Sequence, residues 1–148
     1  MHKNHFDYII CGGGASGLLL AYRICNDPYL IDKSILLIEK DYKNTNDRTW
    51  CFWESGDGDL EGSVYKTWNQ AYFNAEDFEM DFSLEPFKYK MIRSIDFYKS
   101  MKKQLSEFDQ LTQIKERVIL IEENIVTTEI QSYQGNKIFS IIYDPKNF

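Results

Sequence analysis

Histidine is nearly absent from this sequence: His2 and His5 are the only two in 148 residues. Both sit in an N-terminal stretch expected to fray, which leaves little material for histidine-based zinc sites or Ser–His–Asp triads. Cysteine is scarce too. Cys11, Cys25 and Cys51 are odd in number and widely spaced, and they match no metal or redox motif. Cys11 and Cys25 fall on apolar runs, where a free thiol behaves as a small hydrophobe. A reducing cytoplasm is the expected setting. Basic charge is outweighed, with 17 Lys and Arg against 23 Asp and Glu and a formal net charge of −6. No basic cluster stands ready to neutralise phosphates, so no nucleic-acid partner is expected. Long apolar runs are missing: none reaches the roughly 18 residues a membrane span needs. Met1-His2-Lys3-Asn4-His5 leads straight into a strand-like run, and no signal peptide is expected there. Any membrane contact is therefore expected to be peripheral. A composition 43% hydrophobic and 27% charged is that of a globular protein, and the length is enough for one domain with a sizeable core.

The chain is organised around Phe6–Gly17, Phe-Asp-Tyr-Ile-Ile-Cys-Gly-Gly-Gly-Ala-Ser-Gly. Tyr8-Ile9-Ile10-Cys11 is a short apolar run closed by glycines and predicts a buried strand. Gly12, Gly14 and Gly17 then match G-x-G-x-x-G, and Ala15–Ile24 has helix-forming composition. In a dinucleotide-binding βαβ unit the first glycine allows the tight turn and the second lets the backbone approach a pyrophosphate. The third lets helix and strand pack closely. The anion sits where unpaired N–H groups and the helix dipole already point. The helix is expected to stop near Asn26-Asp27-Pro28. A second strand, Ser34–Ile38, ends on Glu39, whose carboxylate is placed to accept the hydroxyls of an adenosine ribose. The interval from Gly12 to Glu39 is longer than usual, with Tyr29–Lys33 as a loose connection. Gly12, Gly13, Gly14, Ala15, Gly17 and Glu39 are the candidate nucleotide-binding residues. The plainer alternative is a glycine turn in some other α/β protein, with Glu39 merely solvated.

After a polar stretch, Asp41–Asn46, comes the least usual segment: Asp47-Arg48-Thr49-Trp50-Cys51-Phe52-Trp53-Glu54. Two tryptophans and a phenylalanine in four residues are costly to expose. On composition alone this is a strand or loop packed under the nucleotide domain, with Asp47 and Arg48 paired at the surface. Following a glycine fingerprint and an acid that closes the second strand, the segment resembles the start of the lycopene β-cyclase family of carotenoid flavoproteins. Tyr89-Lys90-Met91-Ile92-Arg93-Ser94-Ile95-Asp96-Phe97 is similar to that family as well, in a segment that leads into a helix. The resemblance runs from about Tyr8 to about Leu105, and weakly to the end. It adds Arg48 to the candidate cofactor-binding residues.

Elsewhere, Ser55–Ser63 is predicted to be a loop. Val64–Asn74 and Phe78–Ser83 are predicted strands, with Ala75-Glu76-Asp77 at the turn. Trp50–Tyr98 holds 13 of the 23 aromatic residues; these build either an aromatic core or a wall for a flat apolar ligand. Ser94 is placed to cap a helix with Asp96 in its first turn. Phe97, Met101, Leu105 and Phe108 mark that helix's core face. Val118–Ile121 is a further strand, and Ile125–Tyr133 with Lys137–Tyr143 flank Gln134-Gly135-Asn136 as a hairpin signal.

The expected fold is α/β: a Rossmann-like FAD/NAD(P)-binding βαβ unit with additional mixed β segments, apparently truncated. Residues 1–148 are expected to form the N-terminal part of an FAD-binding domain, without its C-terminal FAD and substrate portions. The resemblance implies FAD in reduced form, NAD(P)H as electron source, and lycopene or a related polyene as substrate, its end groups cyclised without net redox change. The family's catalytic acidic motif lies beyond these residues, so no catalytic residue is assigned. Glu122-Glu123 does not match that motif and is read as a solvated strand end; Glu54 is a weaker candidate acid near aromatics. The alternatives are a fragment of an FAD/NAD(P)-dependent oxidoreductase or monooxygenase, and a truncated remnant without catalysis.

Overall fold

A computed structural model of the chain describes residues 4–41 and 43–142. Among these, eleven strands and two α-helices follow in sequence. They run β1 (His5–Cys11), α1 (Ala15–Asn26), β2 (Ile35–Glu39), β3 (Thr49–Glu54), β4 (Val64–Trp68) and β5 (Gln70–Ala75). Then come β6 (Phe78–Ser83), β7 (Lys88–Arg93), α2 (Ser94–Leu105), β8 (Leu111–Lys115), β9 (Val118–Glu122), β10 (Ile125–Thr128) and β11 (Ser132–Ser140). The chain divides into two compact units, one drawn from residues 4–41 and 101–142, the other from 43–100.

The first unit is built on a six-stranded sheet in the order β8-β2-β1-β11-β10-β9. β8, β2, β1 and β11 run parallel, and β10 and β9 are antiparallel additions. Ile35, Leu36, Leu37 and Ile38 are all buried, as a strand covered on both faces requires. α1 buries Gly17, Leu18, Ala21, Ile24 and Cys25, a single stripe at helical spacing. It stops at Asn26. Asp27 then bonds the N–H of Tyr29 (2.9 Å) beside Pro28, turning the chain out of the helix. At the start of the sheet, Asp7 accepts from the Ser34 N–H (2.9 Å) and hydroxyl (2.8 Å), joining β1 to the entry of β2. These bonds to the charged form hold the Asp7 carboxyl below the usual carboxylate range.

The sheet curls. β8 and β9 are its two outer strands, yet only Glu116 and Arg117 separate them in sequence. Ile114 from one edge and Val118 and Ile121 from the other pack on a common core with Ile9, Cys11, Leu36, Ile38, Val126 and Tyr133.

The structure departs from the sequence pattern at several points. Gln134-Gly135-Asn136 is not a turn; it lies within β11, where Gln134 and Gly135 pair with His5 and Phe6. A Cβ at Gly135 would stand 2.8 Å from the Ile9 side chain, so this glycine marks close packing between strands. The turn comes earlier, where Thr128 Oγ1 accepts from the N–H groups of Ile130 (3.2 Å) and Gln131 (3.1 Å). The expected strand end at Tyr143 lies outside the described residues, as does His2. His5 opens β1 instead of fraying, and β8 is an additional strand that the apolar pattern did not mark.

The second unit holds an antiparallel sheet, β3-β7-β4, and a hairpin of β5 with β6. The expected Val64–Asn74 strand is broken at Asn69, which sends its two halves to different partners. On one face of the β3-β7-β4 sheet, Trp50 stands edge-on to Phe97 (5.5 Å) and Tyr98 (6.1 Å). Lys90 on the same face is fully buried. The opposite face carries a row of rings across three strands: Trp53, Tyr89 and Trp68, with centroids 4.8 and 5.8 Å apart. α2 leads from this unit back into the first and buries Phe97, Tyr98, Met101 and Leu105. It ends at Leu105, so Phe108 lies past the helix; there its ring meets Tyr22 edge-on.

Candidate nucleotide-binding site

β1 ends in the glycine loop, and the N–H of Gly12 bonds the carbonyl of Ile38 (2.8 Å), which holds the loop against the end of β2. Gly12 has φ +112°, a conformation that side chains rarely adopt. A Cβ at Gly17 would collide with the carbonyl oxygen of Gly12, so helix and loop meet as closely as the fingerprint requires. Gly14 is the residue before α1, with extended backbone and no side-chain cap, and the first helical bond runs from Leu18 N–H to its carbonyl. The N–H groups of Ala15, Ser16 and Gly17 therefore start the helix without partners inside it. A Cβ at Gly14 would meet no protein atom within 4 Å. That open space beside a helix N-terminus is a cradle suited to a phosphate group.

Glu39 closes β2 next to this loop. Its Oε2 accepts from the Gly13 N–H at 2.6 Å and its Oε1 from the Asp41 N–H at 3.1 Å. A Cβ at Gly13 would press on the Glu39 side chain at 2.9 Å, so the second of the three consecutive glycines makes room for this acid. Gly12, Gly13, Gly14, Ala15, Gly17 and Glu39 thus come together at the carboxyl ends of two parallel strands, where open α/β sheets bind ligands.

Arg48 belongs to the second unit. Its N–H donates to Ser94 Oγ (3.1 Å) and its carbonyl accepts from the Ser94 N–H (2.9 Å). Asp47 accepts from Ser94 Oγ (2.9 Å), so the expected Asp47–Arg48 pair is replaced by a shared anchor on Ser94. The Ser94 hydroxyl holds the 45–48 segment in place of the expected cap on its own helix, and the Asn46 side chain reaches the N–H of Ile95 (3.5 Å).

The candidate acids are engaged or solvated. Glu54 bonds the Lys90 ammonium (2.9 Å), which also binds Glu61 (2.5 Å) and the Gly56 carbonyl (2.8 Å). These partners, Glu61 first, raise the Lys90 pKa, and Glu54 is engaged as half of an ion pair. Glu122 and Glu123 are exposed, and Glu123, at φ 36°, forms the two-residue turn between β9 and β10. Burial pushes the thiols of Cys11 and Cys25 up to about 12 and about 11, which makes both inert packing groups. Among the described residues no cluster of His, Cys, Asp and Glu fit for a metal occurs, and no helix is long and apolar enough to cross a membrane. Sequence reasoning missed Glu116, a buried carboxylate between β8 and β9 bonded by Thr128 and Tyr133. No local motif announces it, because its partners lie 12 and 17 residues away on other strands.

Solved flavoprotein structures share this fold at low sequence identity. PqsL, a probable FAD-dependent monooxygenase from Pseudomonas aeruginosa, is 11% identical with a TM-score of 0.70, over 91% of this chain and 42% of that one. The tetrameric form of 2-methyl-3-hydroxypyridine-5-carboxylic acid oxygenase is 11% identical with a TM-score of 0.66, over 93% of this chain and 39% of that one. The flavin-dependent brominase Bmp2 is 16% identical with a TM-score of 0.61, over 92% and 37%. The chain thus spans about two fifths of the length of these structures. No curated protein sequence matches it at a significant level. The sequence profile of the family described as lycopene cyclase protein matches residues 7–142, from the middle of β1 to beyond the end of β11, and the chain belongs to that family.

Proposed function

We propose that this chain is the FAD-binding front portion of a lycopene β-cyclase-type flavoprotein, acting in carotenoid biosynthesis. The observation that carries the cofactor part is the space a Cβ would enter at Gly14, at the start of α1, with Glu39 one strand away. In this reading the N–H groups at the start of α1 hold the pyrophosphate and Glu39 takes the adenosine ribose hydroxyls. Gly12, Gly13 and Gly17 keep the loop in shape, and Arg48 is a further cofactor contact. When bound and reduced by NAD(P)H, the flavin supplies electron density that favours cationic charge on a polyene. Residues 1–148 form the N-terminal part of the FAD-binding domain, and sequence outside them provides the catalytic acid, the rest of the FAD site and the substrate portion. The Trp53–Tyr89–Trp68 row, with Trp53 exposed and the other two rings half-buried, supports a polyene substrate, since ring faces stack on extended π-systems. The setting is cytoplasmic, with peripheral contact to the membrane that holds the carotenoid.

The cofactor reading is tested with FAD on the chain itself. Gly14→Val should leave the melting temperature within about a degree, because its side chain enters open space, yet weaken FAD binding about tenfold or more. Equal affinity of the variant and the parent would refute the site. The activity is tested on a full-length protein that contains this sequence. Under reducing conditions it should turn linear lycopene into a cyclic product with only catalytic amounts of NAD(P)H. The monooxygenase names among the solved relatives favour a second reading, a hydroxylase or other oxidoreductase on the same nucleotide unit. NAD(P)H consumed in step with product would select it.

A further inference from the structure

Glu116 lies buried at 8% exposure in the two-residue link between the outer strands of the first unit. Its main chain faces one half of the sheet: the N–H donates to the carbonyl of Glu39 at 3.1 Å, one step past the last β2–β8 pair. Its side chain faces the other half. Thr128 Oγ1, on β10, donates to one carboxylate oxygen at 2.5 Å, and Tyr133 Oη, on β11, donates to the other at 2.9 Å. The surroundings set the direction of both bonds. Thr128 Oγ1 already accepts from the N–H groups of Ile130 and Gln131 and directs its proton to Glu116 and the Gln131 carbonyl. Tyr133 Oη accepts from Gln131 Nε2 at 2.7 Å, which leaves its own proton for Glu116. Each Glu116 oxygen is therefore met by one hydroxyl, Thr128 from β10 and Tyr133 from β11.

The residue that ends this chain of bonds is the acid bonded to the glycine loop. Glu39 has its carbonyl on Glu116 and its carboxylate on the Gly13 N–H. We propose that Glu116 is a positioning residue of the nucleotide site, clamped by β10 and β11 so that Glu39 stands in register for the two hydroxyls of an adenosine ribose. The inference rests on the nucleotide reading above and adds a residue remote from the fingerprint to it.

The test is titration of the full chain with ADP and with 2′,3′-dideoxy-ADP, which lacks the hydroxyls that Glu39 would take. The parent chain should prefer ADP. Glu116→Gln should cut that preference about fivefold and leave the affinity for the dideoxy ligand nearly unchanged. Tyr133→Phe keeps the ring beside Phe6 and removes only the hydroxyl; it should act in the same direction more weakly, and it decides the matter if Glu116→Gln does not fold. In a Glu39→Gln background, Glu116→Gln should change the ratio no further. A residue with only a structural role would lower the melting temperature and weaken both ligands alike, and an unchanged ratio overturns the proposal. If the parent binds neither nucleotide, the nucleotide reading fails and takes this inference with it. If the parent prefers ADP and the variants keep that preference, this inference alone fails.

Discussion

Two glycines three residues apart in one motif are there for different physical reasons, and the difference is measurable. At Gly17 an added methyl group would run into the Gly12 carbonyl, whereas at Gly14 it would enter open space. Gly17→Ala should therefore destabilise the fold by about 2 kcal/mol, the usual cost of forcing extra volume into a packed contact. Gly14→Ala should stay within about 0.5 kcal/mol of the parent. Urea unfolding of the pair decides it, and equal stabilities would mean that the Gly12–Gly17 approach relaxes at little cost. The close approach at Gly17 was legible in the sequence, because the strand, spacing and helix composition around it agree. That Glu39 closes the second strand beside the glycine loop was legible on the same grounds. Glu54 was visible as an acid among aromatics, but its engagement by Lys90 was not, since that pair is 36 residues apart in sequence.

At the level of elements, local pattern succeeded where a strand or helix is read from its own residues. β1, α1 and β2 follow from an apolar run, glycine punctuation and a stop at Asp27-Pro28. It failed where pairing decides. Gly135 is followed by Asn136, another turn-forming residue, yet parallel pairing with β1 keeps this stretch within an extended strand. The short β8, Leu-Thr-Gln-Ile-Lys, has too little apolar content to mark itself and takes its identity from its register on β2. Gly135→Val should destabilise by about 2 kcal/mol through its contact with Ile9. A turn-forming role would predict a comparable loss, so the informative comparison is the double variant with Ile9→Ala. The space vacated at Ile9 should recover part of the Gly135→Val loss if packing is the cause, and none of it if a turn is broken.

Across the whole molecule, acid sensitivity should be traceable in part to one tie in the first unit. Hydrogen bonds from Ser34 hold the Asp7 carboxyl below its ordinary value of 3.8. Its contribution to stability is therefore complete above about pH 4 and is lost as the pH falls through the lower folded-state value. The stability gap between the parent and Asp7→Asn should be present at pH 7 and close on acidification below pH 4. A gap that stays constant down to pH 2.5 would show that Asp7 acts by shape and not by charge. The two-unit division was not legible in the sequence, because the first unit is assembled from both ends of the chain with residues 43–100 between them. That arrangement has a consequence in time. β1 pairs on one side with β2, but on the other with β11, where His5 meets Gln134. At ribosomal rates of roughly 5–20 residues per second, β1 emerges on the order of ten seconds before β11. During nascent-chain growth an apolar strand from the middle of the finished sheet thus carries an open edge, and the neighbour that closes it is synthesised well over a hundred residues later.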